Sequence, residues 1–466
     1  MDRKGKLGLI SLGVVVLVVI SALVFNVDSI IPRDDTPEII GFDCSRAATH
    51  VDQLCSNGPR MSGSEEELIG ARYIADQFEE IGLSDVAVED YEVPMFEVNN
   101  AEVSLIEYRP ILNVPAPMGE TIRYEHKTDF VVQGYSGSLD WNNFRDDLEV
   151  VNIGNGTDIS SYDQARGRVC FVEQDGDTPP NAELYFYAYE AGAEAIILQN
   201  CFRGKTLGYP PMFKTNQNPE NYDEYPDIPF FMVSRPVGDE ILDKTSGSFK
   251  IRLDFDIYVG PMDIRVSVGE IKASVETDDL VVFTAHHDTC YNTPGAIDNT
   301  VGPATLIEIA RSLSEYDLNV NVRFCTFGGE EEGLYGSIEY YEAHREKLEK
   351  NAKYVFNFDM AHTDREAMRL SMVSNCNDTI NSLERIRDQL LKEDSELKEY
   401  EIAFSYDELG IKYSDYWSFV DGGAKGVAAW GSGCEEYHTY LDDTSHLNEE
   451  SLQIEGRILG SYVLTL

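Results

Sequence analysis

The sequence predicts an α/β protein with a mostly parallel central sheet flanked by helices, and three observations carry that expectation. Beyond residue 262, short β-branched or aromatic runs at 280–285, 322–327, 354–358 and 426–430 have the length and composition of strands. Between the first two runs, Leu306, Ile309, Ala310 and Leu313 take the i, i+3, i+4, i+7 spacing of an amphipathic helix. Finally, histidines and carboxylates follow directly after several of these runs, where open α/β sheets build their sites.

The elements are read in chain order. Residues 7–25 are almost unbroken apolar sequence preceded by Arg3, Lys4 and Lys6. That pattern predicts a single transmembrane helix with residues 1–6 cytoplasmic and the rest of the chain extracytoplasmic. A cleaved signal peptide, and secretion, is the alternative. Residues 26–40 carry Pro32, Pro37 and scattered aspartates without periodicity and read as a stalk. The first part of the main domain spans 41–94. Within it Ser64 and Glu67 form a capping box, and Leu68, Ala71, Ile74, Ala75 and Phe78 recur at helical spacing until Gly82. Val86 to Val93 then alternate as a strand does.

Between 95 and 258 the texture changes to short strands, prolines and loops, which reads as an inserted small α/β domain. Strands are expected at 167–172, 195–198 and 228–233, with a helix ending at 188–193. The main domain resumes over 259–466.

Against 37 Lys and Arg stand 83 Asp and Glu, a formal charge of -46. Such a chain repels nucleic acid and anionic membrane surfaces, so neither is an expected partner. Self-repulsion on this scale is relieved by salt, and adaptation to a salty environment is one reading of it. The eight cysteines are scattered singly with no Cys-x-x-Cys pair, which argues against a cysteine zinc site. Cys44 and Cys55 would lie about 16 Å apart along a helix, too far for a disulfide; Cys170 and Cys201 are the more plausible pair.

The candidate chemistry lies in the last half of the chain. His286, Asp298, Glu331, Asp359 and His438 are each placed just beyond a short apolar run, with the further carboxylate Glu330 beside one of them. Two imidazoles and three carboxylates are a ligand set for two zinc ions if one carboxylate bridges, and Glu330 is then free to move a proton. Apart from Asp359, whose carboxylate closing an apolar strand needs a partner, each residue alone has a plainer explanation. His286-His287-Asp288 is also a polar strand end, Asp298 a helix cap, Glu330-Glu331-Glu332 a solvated helix start and His438 a packed histidine.

Taken in order, Ala285-His286-His287-Asp288-Thr289, Gly295-Ala296-Ile297-Asp298-Asn299, Phe327-Gly328-Gly329-Glu330-Glu331-Glu332-Gly333, Asn357-Phe358-Asp359-Met360 and Tyr437-His438-Thr439 resemble the motifs of the co-catalytic dizinc aminopeptidase family. That family includes glutamate carboxypeptidases and some receptor ectodomains. The resemblance covers 41–95 and 262–466 and implies a zinc exopeptidase fold, two zinc ions and a peptide substrate. It makes Asp298 the bridging ligand, with His286 and Asp359 on one metal and Glu331 and His438 on the other. Glu330 becomes the general base, Asp288 the partner of the second ring nitrogen of His286, and Tyr437 a donor to the developing oxyanion. A cis peptide is implied at Asp298-Asn299, and the 95–258 insert is similar to a protease-associated domain. Ser414-Asp415-Tyr416-Trp417-Ser418-Phe419 resembles a segment lining the substrate side. Aminopeptidase action is the leading expectation. A glutamate carboxypeptidase, which would want arginines near the pocket, and a single-zinc aminoacyl cyclase are the nearer alternatives, and a non-catalytic receptor-like ectodomain is the more distant one.

Overall fold

Leu280 to His286 are apolar at nearly every position, and in the computed structural model they form a strand buried along its whole length. Runs of that kind belong inside a sheet with helices on both faces. The structure describes residues 36–111, 114–140, 147–215 and 227–466. In chain order its strands are β1 (Ser84–Ile111), β2 (Val114–Tyr124), β3 (Phe130–Val132), β4 (Val150–Asn152), β5 (Val169–Glu173), β6 (Ala195–Gln199), β7 (Phe230–Val233), β8 (Phe249–Ile271), β9 (Leu280–His286), β10 (Asn321–Phe327), β11 (Ala352–Phe358), β12 (Arg369–Ser374), β13 (Glu401–Tyr406) and β14 (Lys425–Gly431).

A nine-stranded sheet has the order β13-β12-β14-β11-β9-β10-β8-β1-β2. Its centre, β14-β11-β9-β10, is parallel throughout. The expected mostly parallel sheet is nevertheless corrected to a mixed one. β8, β1 and β2 pair antiparallel, and β12 runs against β14 although it is parallel to β13. The reason is a long ribbon in which β1 and β8 stay paired from Ser84↔Glu270 to Glu107↔Phe249. Residues 95 and 258 lie within these two strands.

Between β2 and β8 the chain builds a second, five-stranded sheet of order β3-β7-β6-β5-β4. Its Phe171, Ile197 and Phe231 share a buried core with Leu105 and Leu253 of the ribbon, so the second sheet is packed onto the first rather than tethered beside it. Residues 39–466 accordingly form one compact unit.

Helices cover the large sheet on both faces. On one side Ile74, Phe78, Leu306, Ile309 and Leu459 pack against Phe283 and Phe324. On the other, Tyr340, Tyr341 and Phe419 pack against Val282 and Val355. The helix Glu65–Ile81 starts at Ser64, whose side chain accepts the Glu67 N–H, and stops at Gly82 in the left-handed conformation. The reciprocal half of the capping box is absent. Glu67 is fully buried, and its carboxylate is taken up instead by the Arg265 backbone N–H at 2.8 Å and the Arg265 guanidinium at 3.0 Å. A buried carboxylate goes where it finds the most donors.

Two further expectations are corrected. A transmembrane helix is expected from the sequence, and among the described residues no helix is long and apolar enough to cross a membrane; the expected span at 7–25 lies outside the described residues. All eight cysteines are free thiols, which removes the Cys170–Cys201 pairing.

Candidate metal centre

β9, β10, β11 and β14 end together at one edge of the sheet, and each delivers polar side chains there. His286 closes β9. The turn after β10 carries Glu330 and Glu331, Asp359 follows β11, and His438 lies in the loop after β14. Asp298 comes from the segment Ala296–Thr300, just before the helix Val301–Leu313. The peptide between Asp298 and Asn299 is cis.

These six residues converge. Asp298 places one carboxylate oxygen 3.3 Å from His286 Nε2 and the other 3.0 Å from His438 Nε2. His286 Nε2 is also 3.5 Å from Asp359 and 4.0 Å from Glu330, while His438 Nε2 is 3.1 Å from Glu331. Asp298 thus stands between two lobes, one with His286, Glu330 and Asp359 and the other with His438 and Glu331. His287 faces away, with its ring nitrogens on Thr326 and Glu67.

The other ring nitrogens are fixed from behind. His286 Nδ1 bonds the backbone oxygen of Asp288 at 3.3 Å and lies equally far from its Oδ1, while the other carboxylate oxygen, Oδ2, accepts from the Ser62 hydroxyl at 2.8 Å and the Glu331 N–H at 3.2 Å. His438 Nδ1 meets the backbone oxygen of Phe213 at 2.9 Å. A proton on each Nδ1 leaves each Nε2 with its lone pair aimed into the cluster, the arrangement in which histidine binds metal. His438 holds this pose with a left-handed φ of 60°, stabilised by a second bond from the Phe213 N–H to its own carbonyl at 3.0 Å.

The electrostatics demand a cation. Burial disfavours a charged His286 imidazole, yet Glu330, Asp288, Asp298 and Asp359 together hold its pKa well above the usual value. Burial also raises the Glu330 carboxyl well above its ordinary range; His286 opposes this, and Asp359, Glu331 and Asp415 add to it. Among the described residues, His286 Nε2 and Glu331 Oε1 are buried without a hydrogen-bond partner. Crowded carboxylates that draw positive charge onto the two imidazoles, together with buried polar atoms left without partners, fit divalent metal ions of the zinc type.

Several supporting residues carry no signal in the sequence. Asp442, buried and pushed up to about 7 chiefly by that burial, accepts the Ile297 and Asp298 N–H groups at 2.8 and 3.0 Å and so sets the backbone from which Asp298 projects. Lys214, from the segment between β6 and β7, donates to the Tyr437 hydroxyl at 2.7 Å, and the Tyr437 ring stacks on His438 with centroids 3.7 Å apart. Asn299 ties the cis segment to β11 by donating to the Phe358 carbonyl at 2.8 Å and accepting from Met360 N–H at 2.9 Å. Behind the Asp359 loop, His362 Nε2 accepts the Asn448 N–H at 2.8 Å, and burial holds its pKa down at about 4. His362 is therefore neutral when folded and favours protonation when unfolded. Its contribution is present above about pH 6.5 and is lost as pH falls through about 4. Melting temperature is expected to drop over that window in wild type, with a shallower drop in His362→Gln; identical pH profiles would contradict this role.

Beside Asp359 opens a cavity of about 510 Å³, lined by Val373, Leu409, Ile411, Tyr413, Tyr416 and Trp430 among others. It brings part of the 414–419 segment to the cluster.

Fold and cluster define a class: an α/β protein with a paired metal-type ligand set at the carboxyl ends of parallel strands. Residues 267–463, which contain all five candidate ligands and Glu330, match the model of Peptidase family M28. Over nearly the whole chain the sequence is similar to "Aminopeptidase YwaD" of Bacillus subtilis, 24% identical over 91% of this chain and 84% of that protein. Aminopeptidase Y of Saccharomyces cerevisiae is 26% identical over 47% of this chain and 41% of its own. A probable glutamate carboxypeptidase of Arabidopsis thaliana is 29% identical over 47% and 35%. Among solved structures, a zinc aminopeptidase from Bacillus subtilis shares the fold with a TM-score of 0.70 at 22% identity, covering 91% of this chain and 95% of that one. An aminopeptidase from Aneurinibacillus does so at 0.63 and 21%, covering 91% and 94%.

Proposed function

We propose that this chain is a metal-dependent exopeptidase that removes N-terminal residues from peptides, with two zinc ions shared across Asp298. The observation that carries the reading is the two-lobed cluster: His286 and Asp359 on one side of Asp298, Glu331 and His438 on the other, and Glu330 beside them without being needed as a ligand. The similarity to aminopeptidases supports the reaction class.

His286, Asp298 and Asp359 would hold one ion, and Asp298, Glu331 and His438 the other. Zinc bound there supplies Lewis acidity and lowers the pKa of coordinated water towards about 7. The remaining work belongs to the chain. Glu330 accepts the proton of the attacking water and returns it to the leaving amine nitrogen. Tyr437, whose oxygen accepts from Lys214, keeps its own O–H free to donate to the developing oxyanion. Asp288 and the Phe213 carbonyl hold the two imidazoles in one tautomer. The excess of carboxylates around the cluster favours a substrate that enters with a free ammonium group, and the apolar cavity next to Asp359 suits a large apolar side chain. The five-stranded unit is read as the protease-associated type of insert, contributing Lys214 and Phe213.

The test is a panel of free and N-blocked peptides assayed with and without chelator, together with a metal count. Cleavage of free N-termini that is abolished by chelator and restored by zinc is expected; preferential cleavage of N-blocked peptides with acidic C-termini would move the reading to a carboxypeptidase. For specificity, Ile411 is 59% exposed, so changing it should not disturb the fold. Ile411→Asp is expected to lower kcat/KM for N-terminal leucine or phenylalanine by roughly tenfold or more while sparing alanine. An equal loss for all three would exclude this cavity as the side-chain pocket.

A further inference from the structure

The lobe that holds Glu331 and His438 contains a third potential ligand. Cys290 is fully buried, and its sulfur, a Glu331 carboxylate oxygen and a His438 ring nitrogen all lie within 4.8 Å of one another. Among the described residues it is the one cysteine that joins such a group. Its place is built into the fold. The turn after β9 is pinned by the Thr289 N–H bonding to the Arg60 carbonyl at 3.1 Å and the Thr293 N–H bonding to the Cys290 carbonyl at 3.2 Å. Arg60, itself fully buried, donates to the His287 carbonyl at 2.8 Å and holds the same turn from below. Glu331 adds an independent sign that a cation belongs here, because its Oε1 is buried without a hydrogen-bond partner.

We infer that Cys290 is a sulfur ligand of the metal ion held by Glu331 and His438, making that lobe a Cys-His-carboxylate site. The inference rests on the reading of the cluster as a metal centre. It distinguishes the two lobes chemically. The His286–Asp359 lobe would offer a metal only nitrogen and oxygen donors, whereas the other would add a soft sulfur donor to Asp298, Glu331 and His438. When sulfur binds the metal, the S–H proton leaves to solvent, since a coordinating thiol is deprotonated outright. Thiolate ligation selects zinc, cadmium or cobalt over magnesium and manganese at that lobe. The plainer role, a thiol packed against Glu331 as a hydrogen-bond donor, predicts no metal–sulfur bond.

X-ray absorption on the zinc-loaded full chain separates the two. A sulfur scatterer at about 2.3 Å is expected, and because no other cysteine joins a described ligand group it reports Cys290. A shell of nitrogen and oxygen alone overturns the inference. Cobalt titration gives a second readout: wild type should develop a near-ultraviolet thiolate-to-cobalt charge-transfer band that Cys290→Ser loses while still binding cobalt. If Cys290→Ser does not fold, the absorption spectrum of the wild-type chain still decides. Metal bound without sulfur overturns the Cys290 role and leaves the metallopeptidase reading standing; a chain that binds no metal overturns both.

Discussion

Replacing Glu330 by glutamine is expected to leave the metal content unchanged and to lower turnover by roughly 10²- to 10⁴-fold, the range lost when a positioned general base is removed. Glutamine keeps the shape of the side chain and its place beside His286, so the cluster geometry is preserved. What it lacks is a carboxylate to take the proton of the attacking water. The surroundings of Glu330 suit that task. Burial and the nearby Asp359, Glu331 and Asp415 raise its proton affinity, while His286 pulls it back. Measuring kcat and metal stoichiometry on the same preparation checks the prediction. A variant with wild-type turnover would remove Glu330 from the mechanism, and one that loses metal would reassign it as a ligand.

Asp298→Ala is expected to have the larger structural consequence, because a single carboxylate serves both lobes. Its oxygens lie 3.3 Å from His286 and 3.0 Å from His438, and no other candidate ligand approaches both imidazoles this closely. Removing it should reduce bound zinc from two ions to one or none and abolish detectable turnover. His438→Ala, in contrast, should remove only the ion shared with Glu331. Asp298 is supported through its backbone by Asp442, so the loop itself has no need of the Asp298 side chain to fold. Circular dichroism should therefore be unchanged. Retention of two zinc ions in Asp298→Ala would refute the bridging role.

Much of this site was legible in the chain because its parts are local. A strand announces itself by an apolar run, and the residue after it lands at the sheet edge whatever happens elsewhere. His286 at the end of β9 and Asp359 just after β11 follow that rule. The helix start at Ser64 and its stop at Gly82 are likewise local events. Strand direction is not local. The reversed β12 and the long β1–β8 ribbon follow from which strands pair, and periodicity says nothing about that. Glu67 shows the same limit on a smaller scale, since its pattern announces a cap and its burial sends it to Arg265 instead.

By itself the sequence determined the types of the candidate ligands, their order and their placement at strand ends, with the further carboxylate Glu330 next to Glu331. The tertiary structure decided what surrounds them: that Asp298 faces both histidines, that Asp288 and the Phe213 carbonyl orient the rings, that Lys214 meets Tyr437, and that Cys290 reaches the Glu331–His438 lobe. Those contacts join residues far apart in the chain, among them Phe213 and His438, or Cys290 and His438. The Phe213 and Lys214 contacts are set by how the two sheets pack on one another and the Cys290 contact by which strands are neighbours in the large sheet, so no spacing in the sequence carries them.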